Sequence, residues 1–388
     1  MSLIAIVRHV NIAMWWQKTV LSRRRNAYQG TSVPIFQRVR KFMANNSDRS
    51  FFRHPMGRLG LFMAALFALW FGGWFAFASF ADGKIAEVLQ SVKDRGINID
   101  CKNREIRGFP FRIGVHCDDL DVAHKRDVFR IKTGEVRTAA QLYAPGELIA
   151  EVDGPFQSWP NGRELNANWS IMRLFLDANF SGGFDLASLT FSDLTSTLSR
   201  FNFGVAKGAV HFRPTPLPQD ASDQSPVSLD GAVSLSDLSA QLPNLNVPPA
   251  TFEADGTLMD GYQDLVERRR PLRSVIRDGA KFEIRNLALS LPDGGRLAFA
   301  GPLEVDSDGL LTGKIRVGVA KPESVSNWAG AIDPRLTQYV ALIAQGVAGM
   351  GQPAQFGSAE IPSIVITLDR GQARMGFIQL GDPIPPLF

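Results

Sequence analysis

The chain has 388 residues, a formal net charge of +4 and 21% charged residues. Its eleven Lys and Arg residues before position 59 face a single acid, Asp48, so the remaining 330 residues carry a net negative charge. This asymmetry argues against a general nucleic-acid-binding protein, because the basic residues are concentrated in one arm next to an apolar segment.

The segment 59–80 contains no charged residue and reads LGLFMAALFALWFGGWFAFASF. A helix of this length rises about 33 Å, enough to cross a hydrocarbon core of about 30 Å. It predicts one transmembrane helix, preceded by a largely disordered basic arm at 1–58. By the positive-inside rule the arm lies in the cytoplasm and residues 81–388 are exported.

A cleaved signal peptide is the alternative interpretation of this segment. Ala76-Phe77-Ala78 and Ser79-Phe80-Ala81 both resemble small-residue cleavage sites. The apolar run exceeds a normal signal-peptide core and the charged arm before it is long, so the sequence favours an uncleaved anchor.

The exported part shows mainly two-residue periodicity, which is typical of strands. Ile97 to Cys101 and Phe109 to Cys117 alternate apolar and polar residues, and the polar link 102–108 predicts a hairpin between them. Eight further strands are predicted, at 208–212, 227–235, 250–258, 281–291, 296–305, 310–319, 361–368 and 373–380. The apolar phase slips after Ile284, which predicts a bulge near Arg285 or Asn286.

Few helices are predicted beyond the span. Residues 81–95 continue the apolar helix, 334–347 form a second helix, and 261–278 a third that Pro271 interrupts. Stretches 214–226 and 243–249 are predicted loops, and the first is a candidate internal division of the exported domain. The expected fold is mainly β, a curved antiparallel sheet or an open barrel or sandwich with a few helices.

The two cysteines, Cys101 and Cys117, both fall in the first exported strands. Alternation points each toward the apolar face, and the short link brings the strands alongside each other. In an oxidising compartment this arrangement favours a disulfide, with two buried free thiols as the alternative.

No catalytic, cofactor or metal site is predicted, because neither a nucleophile elbow, a phosphate loop nor a dinucleotide fingerprint is found. Histidines 116, 124 and 211 are not arranged as a triad. The acidic runs 118–121 and 306–309 read as solvated turns, although calcium binding is the alternative. Arg268-Arg269-Arg270 reads as a solvated helix face or a phosphate contact. We therefore expect no enzyme.

Several short motifs, in a fixed order, resemble the domain of unknown function 2125 family of alphaproteobacterial envelope proteins. They are Gly96 to Cys101, the run Arg107-Gly108-Phe109-Pro110-Phe111-Arg112 followed by Cys117, Gly301 to Gly313, and the tail Leu380 to Leu387. The resemblance covers residues 57 to 388 and implies location and topology more than activity, namely a bacterial inner membrane with the N-terminus cytoplasmic and the C-terminal domain periplasmic. More distantly, the chain resembles AsmA-like envelope proteins, whose curved sheets hold lipids in an apolar groove.

Two functions remain open at this stage. In one, a face of the sheet lines a groove for lipid or another hydrophobic ligand. In the other, the apolar faces fill a closed core, and the domain is a structural or interaction module of the envelope. The expected partners are the lipid bilayer, a hydrophobic ligand and other envelope proteins, and nucleic acid is not among them.

Overall fold

The structure is a computed structural model that describes residues 55–125, 129–159, 163–179, 182–215, 227–243 and 245–388. The predicted basic arm up to residue 54, and most of the predicted loop at 214–226, lie outside the described residues. The chain divides into two compact units, residues 1–69 and 70–388.

Four α-helices and one π-helical turn occur in the described ranges: α1 Pro55–Asp94, the π-helical turn Gln263–Glu267, α2 Leu272–Arg277, α3 Pro322–Ile332 and α4 Leu336–Met350. Of these, α1 is long and apolar enough to cross a membrane, judged by length and composition. The predicted continuation of the apolar helix through residue 94 is therefore confirmed. Pro271 separates the π-helical turn from α2, as the sequence predicts.

The domain after α1 is mainly β, and its described strands form one antiparallel sheet. The strands of the first part are β1 Ile97–Cys101, β2 Glu105–Arg107, β3 Arg112–Cys117, β4 Leu120–His124, β5 Arg130–Thr133, β6 Val136–Gln141, β7 Ala144–Val152, β8 Phe156–Ser158, β9 Leu165–Asn168 and β10 Ile171–Ala178. The remaining strands are β11 Phe184–Leu198, β12 Phe201–Pro214, β13 Leu229–Leu242, β14 Leu245–Leu258, β15 Ala280–Ser290, β16 Arg296–Val305, β17 Leu311–Ala320, β18 Gln352–Phe356, β19 Ala359–Asp369, β20 Gln372–Met375 and β21 Ile378–Gln379. The predicted mainly β fold class is confirmed.

The sheet begins as two branches that join on one long strand. The first branch runs β1, β4, β5, β8 and β9, and the second runs β2, β3, β6, β7 and β10. Residues 184–192 of β11 pair with β10, whereas residues 195–198 pair with β9. From β11 onward the strands follow one another in chain order to β17, which pairs with β19.

The predicted hairpin between residues 97–101 and 109–117 is wrong. Strand β1 pairs with β4, and β3 pairs with β2 and β6. The link 102–108, which reads as a polar turn, contains β2, whose three residues are too few to show a period. The predicted loop at 243–249 is also wrong, because β14 begins at Leu245. Pro248 and Pro249 fall where the β13–β14 register shifts, between the paired residues Val247 and Ala250, so the missing N–H groups interrupt no ladder position.

The bulge is where the sequence predicts it. Ile284 pairs with Gly301 and Leu287 pairs with Phe299, so Arg285 and Asn286 together face a single residue of β16. The extra residue returns the apolar side chains of β15 to one face after the phase slip.

The packed core lies at the C-terminal end of the sheet, on both of its faces. On one face, α3 and α4 contribute Val325, Ala344 and Val347 to a buried cluster with Leu291 and Val319. A second cluster consists of Ala288, Ala298, Phe356 and Ile361. Helix α3 has no counterpart among the predicted elements.

Candidate hydrophobic-ligand site and membrane-proximal motif

An uninterrupted line of apolar residues crosses ten strands of the sheet. Residues opposite each other on neighbouring antiparallel strands point to the same face, so pairing traces one surface. The line, called here the apolar row, consists of Ala150, Leu174, Leu189, Val210, Val233, Ala254, Leu287, Phe299, Val317 and Ile364. Alternation along each strand predicts such faces, but only the observed register aligns them across strands.

The middle of this face forms an open trough of about 570 Å³. Its floor and walls are apolar side chains of β12 to β15, namely Phe212, Leu229, Val233, Ala254, Leu258, Phe282, Ile284 and Leu287. Leu265, Val266 and Leu272 line it from the π-helical turn and α2. The volume falls within the range of about 300–1,000 Å³ typical of small-ligand sites.

Two glycines in the floor of the trough leave its volume free of side chains. Gly231 and Gly256 lie opposite each other on β13 and β14, and both line the trough. A Cβ atom on Gly231 would meet the Phe212 ring at 3.2 Å, and one on Gly256 would approach the Glu283 carbonyl oxygen to 2.8 Å. A side chain at Gly231 would therefore crowd the Phe212 ring, and one at Gly256 would crowd the Glu283 carbonyl group.

Tyr262 fastens the π-helical turn to β11. Its hydroxyl donates to the Phe184 carbonyl oxygen at 3.0 Å and accepts from the Phe184 N–H at 2.9 Å. The two rings meet edge to face at 5.4 Å. The sequence predicts a solvated face or a phosphate contact for the run Arg268 to Arg270. In the structure Arg268 and Arg270 both form ion pairs with the Asp264 carboxylate of the π-helical turn.

On the opposite face of the same strands lies a buried charge cluster around Asp230. Its carboxylate accepts hydrogen bonds from Thr257 Oγ1 at 2.6 Å, from Arg285 at 3.1 Å and from Arg213 Nε at 3.2 Å. Burial opposes ionisation of Asp230, but the Thr257 hydrogen bond and the two guanidinium groups outweigh it and hold the pKa of Asp230 below its ordinary value. The cluster links one residue from each of the four neighbouring strands β12 to β15 on this face.

Ser188 and His211 form a polar pair that no local sequence pattern reveals. They are cross-strand partners on β11 and β12, with Ser188 Oγ 2.7 Å from His211 Nδ1. Burial lowers the pKa of His211. Because the residues alternate with Leu189 and Val210 of the apolar row, they lie on the face opposite the trough. Their separation of 23 residues leaves no local motif to find.

The predicted cysteines are joined in a disulfide, Cys101–Cys117, with 5.3 Å between their Cα atoms. This pairing connects the ends of β1 and β3, which belong to different branches of the sheet. The predicted disulfide is therefore confirmed, although the strands it joins are not a hairpin.

The family-like motif Arg107 to Arg112 packs against α1. The Phe109 ring lies 4.9 Å from the Phe71 ring and 5.5 Å from the Trp74 ring, and Phe111 lies 6.0 Å from Trp70. The Trp74 indole N–H donates to the Arg112 carbonyl oxygen at 2.9 Å. Trp74 is only 7% exposed. The motif thus joins the sheet to the apolar helix.

Gly108 is the position in the motif that only glycine fits. Its φ is +120°, and a Cβ atom there would lie 2.8 Å from the Arg112 carbonyl carbon and oxygen. Arg107 ends β2, where its guanidinium pairs with Glu105 at 2.7 Å, and Arg112 begins β3.

The acidic run 306–309 lies in a turn, as the sequence predicts, whereas Asp121 of the run 118–121 lies in strand β4 and pairs with Arg130. Asp306 Oδ1 accepts from the N–H groups of Asp308 and Leu310, so this carboxylate caps its own turn. Across the described ranges, no group of three or more His, Cys, Asp or Glu residues is placed to hold a metal ion.

Comparison with known families identifies the chain. The family model described as "Uncharacterized protein conserved in bacteria (DUF2125)" matches residues 74–383. The protein belongs to the DUF2125 family. The match begins at Trp74, so it includes the motif that contacts α1, the trough and the packed core. No curated protein and no solved structure shows significant similarity to this DUF2125 chain.

Proposed function

We propose that this DUF2125 protein is a single-pass inner-membrane protein whose periplasmic domain binds lipid or another hydrophobic ligand in the trough, without catalysing a reaction. The trough carries the proposal. An apolar cavity of about 570 Å³ that stays open on a folded sheet suits a ligand with an apolar body. The AsmA-like resemblance points the same way and stays a prediction.

The proposed location rests on three features. Helix α1 is long and apolar enough to cross a bilayer. The chain before it is strongly basic, which favours the cytoplasmic side. The Cys101–Cys117 disulfide suits an oxidising compartment such as the periplasm.

The face that carries the trough is covered at one end and open in its middle, and this favours binding over a closed core. Leu289, Leu297 and Val319 pack beneath α3 and α4. Farther along the sheet, Leu174 and Phe212 are each at least 40% exposed. A structural module with a closed core would be expected to cover these side chains as well.

The test fills the trough and measures ligand retention. In Ala254→Phe the new ring occupies the floor, whereas the matched control Ala232→Phe places the same ring one residue from Gly231 and Val233 on the opposite face. Native mass spectrometry of the full chain in mild detergent reads co-purifying lipid, and titration with the fluorescent probe N-phenyl-1-naphthylamine reads affinity. We expect Ala254→Phe to weaken probe binding about tenfold, equivalent to ~1.4 kcal/mol, and the control to bind like wild type.

A second variant covers the case in which Ala254→Phe misfolds. Leu272 is 51% exposed at the edge of the trough, so Leu272→Arg keeps the fold while placing a charge beside the ligand. We expect reduced lipid retention in this variant too. If neither variant changes lipid retention, or if wild type carries no lipid and binds no probe, the binding proposal is wrong and the closed structural module takes its place.

A further inference from the structure

The contact between α1 and the motif loop lies inside the apolar segment of the helix. Trp74 and Trp70 precede Asp82, the first charged residue after that segment, by eight and twelve residues, or about 12 and 18 Å along the helix axis. Phe109 and Phe111 pack against these helix positions. The loop therefore lies beside the apolar part of α1, which is suited to the bilayer, and not beside the charged part that begins at Asp82.

The loop and its neighbours expose an aromatic surface next to the helix. Phe111 is 59% exposed, and Tyr143, in the β6–β7 turn, is 78% exposed. The N–H of Leu142 donates to the Phe111 carbonyl oxygen at 3.0 Å, so this turn sits beside the loop. Trp and Tyr concentrate at membrane–water interfaces, where the ring is buried and its polar group stays hydrated.

Several backbone groups at the ends of the loop are hydrogen-bonded. The Arg112 N–H donates to the Gly108 carbonyl oxygen at 2.9 Å, and the carbonyl oxygens of Phe111 and Arg112 accept from Leu142 N–H and the Trp74 indole. Polar backbone groups in contact with lipid must be satisfied internally, and these four groups already have partners within the protein. Arg112 is exposed at the start of β3, where a long side chain can extend to lipid phosphates.

We propose that the loop Phe109-Pro110-Phe111, together with Tyr143, inserts into the bilayer beside α1 and seats the β2–β3–β6 end of the sheet on the membrane. The partner is the lipid of the membrane that α1 crosses. The inference rests on the proposed anchoring by α1. It adds that no layer of water separates the β2–β3–β6 end of the sheet from the membrane.

Photo-crosslinking tests the insertion. The residue p-benzoylphenylalanine replaces Phe111, Tyr143, Leu66 or Phe377, one at a time, in the full chain in vesicles of phosphatidylethanolamine and phosphatidylglycerol. Leu66 lies within the apolar segment, and Phe377, which is 98% exposed between β20 and β21, is the matched exposed phenylalanine remote from the motif in the sheet order. Mass spectrometry counts lipid adducts on each labelled peptide.

We expect positions 111 and 143 to yield lipid adducts at a level close to position 66 and severalfold above position 377. If the change at Phe111 disturbs its packing on Trp70, the label at position 143 still reports whether this surface meets lipid. Adducts at 66 with none at 111 and 143 would overturn the insertion and leave the anchor intact. Absence of adducts at all four positions would overturn the anchor as well, and crosslinks from 111 to a second copy would make the surface a protein interface instead.

Discussion

Residues 97–178, which hold β1 to β10, and residues 280–369, which hold β15 to β19, belong to the same sheet but are held in different ways. In the first region Cys117, at 5% exposed, is the one buried apolar side chain among the described residues, and most other apolar side chains are half-buried. In the second, Ala298 and Phe356 are fully buried on one face, and Val319 and Val347 are 1% exposed on the other. The first region depends on pairing, ion pairs and a disulfide, whereas the second depends on packing.

This difference indicates how a long sheet can stay partly uncovered. A face left half-buried gains less from the hydrophobic effect, which scales with the apolar area removed from water. Covalent and electrostatic contacts compensate locally. Arg137 contacts the carboxylates of Glu135, Glu151 and Asp153 in the second branch, and the disulfide connects that branch to the first.

The largest effect should come from removing a ring of the packed region. Phe356→Ala leaves a cavity among Ala288, Ala298 and Ile361, and we expect a loss of about 3–5 kcal/mol in the free energy of unfolding. Denaturant titration of the detergent-solubilised chain measures it. The control Phe377→Ala removes an exposed ring and should change little. Equal effects of the two changes would show that the second region is not held by its core.

A smaller effect should follow from removing the disulfide with the double change Cys101→Ser and Cys117→Ser. Closing a loop of this size contributes about 3 kcal/mol on a chain-entropy argument. Hydrogen exchange should accelerate in β1 to β4 and stay unchanged in β15 to β19, and treating wild type with reductant serves as the control. Equal acceleration in both regions would mean that they unfold as a single cooperative unit and are not held in different ways.

The smallest of the three effects concerns Asp230 on β13, between the two regions. Because its pKa is lowered by folding, its contribution to stability is present above the unfolded value near 3.9 and is lost as the pH falls through the folded value. We expect Asp230→Asn to cost about 2 kcal/mol at neutral pH and to flatten the loss of stability below pH ~4. Asp382→Asn, at an exposed carboxylate in the tail, is the control. If the free energy of unfolding of Asp230→Asn fell with pH as it does in wild type, the Asp230 carboxylate would not contribute to the acid sensitivity.

Local patterns in the sequence predict much of the second region. Strand β16 has the predicted bounds, and turns at Asp293-Gly294-Gly295 and Asp308-Gly309 separate the strands as their chemistry requires. These elements are neighbours both in the sequence and in the sheet, so local signals are sufficient. The first region resists the same approach, because its chain crosses between two branches and each strand pairs with a partner that alternation alone cannot choose.

The trough is the part of the site that the sequence could not supply. Phe212, Ala254 and Leu287 each fit a strand with one apolar face, and nothing local distinguishes a covered face from an open one. That outcome depends on where α3, α4 and the segment 263–277 pack. The contact of Phe109 and Phe111 with α1 was hidden in the same way, since their alternation reads as an ordinary strand face.

The bulge in β15 makes the length of this strand as important as its composition. Arg285 is the extra residue that lets Ile284 and Leu287 both line the trough, and its guanidinium also reaches Asp230 and Asp255. Deleting it would place Ile284 and Leu287 two positions apart, so regular alternation would keep both on the trough face while the bulge, with its bend and local twist, was lost. A substitution at this position would remove the ion pairs with Asp230 and Asp255 and keep the bulge, whereas a single-codon deletion would remove both.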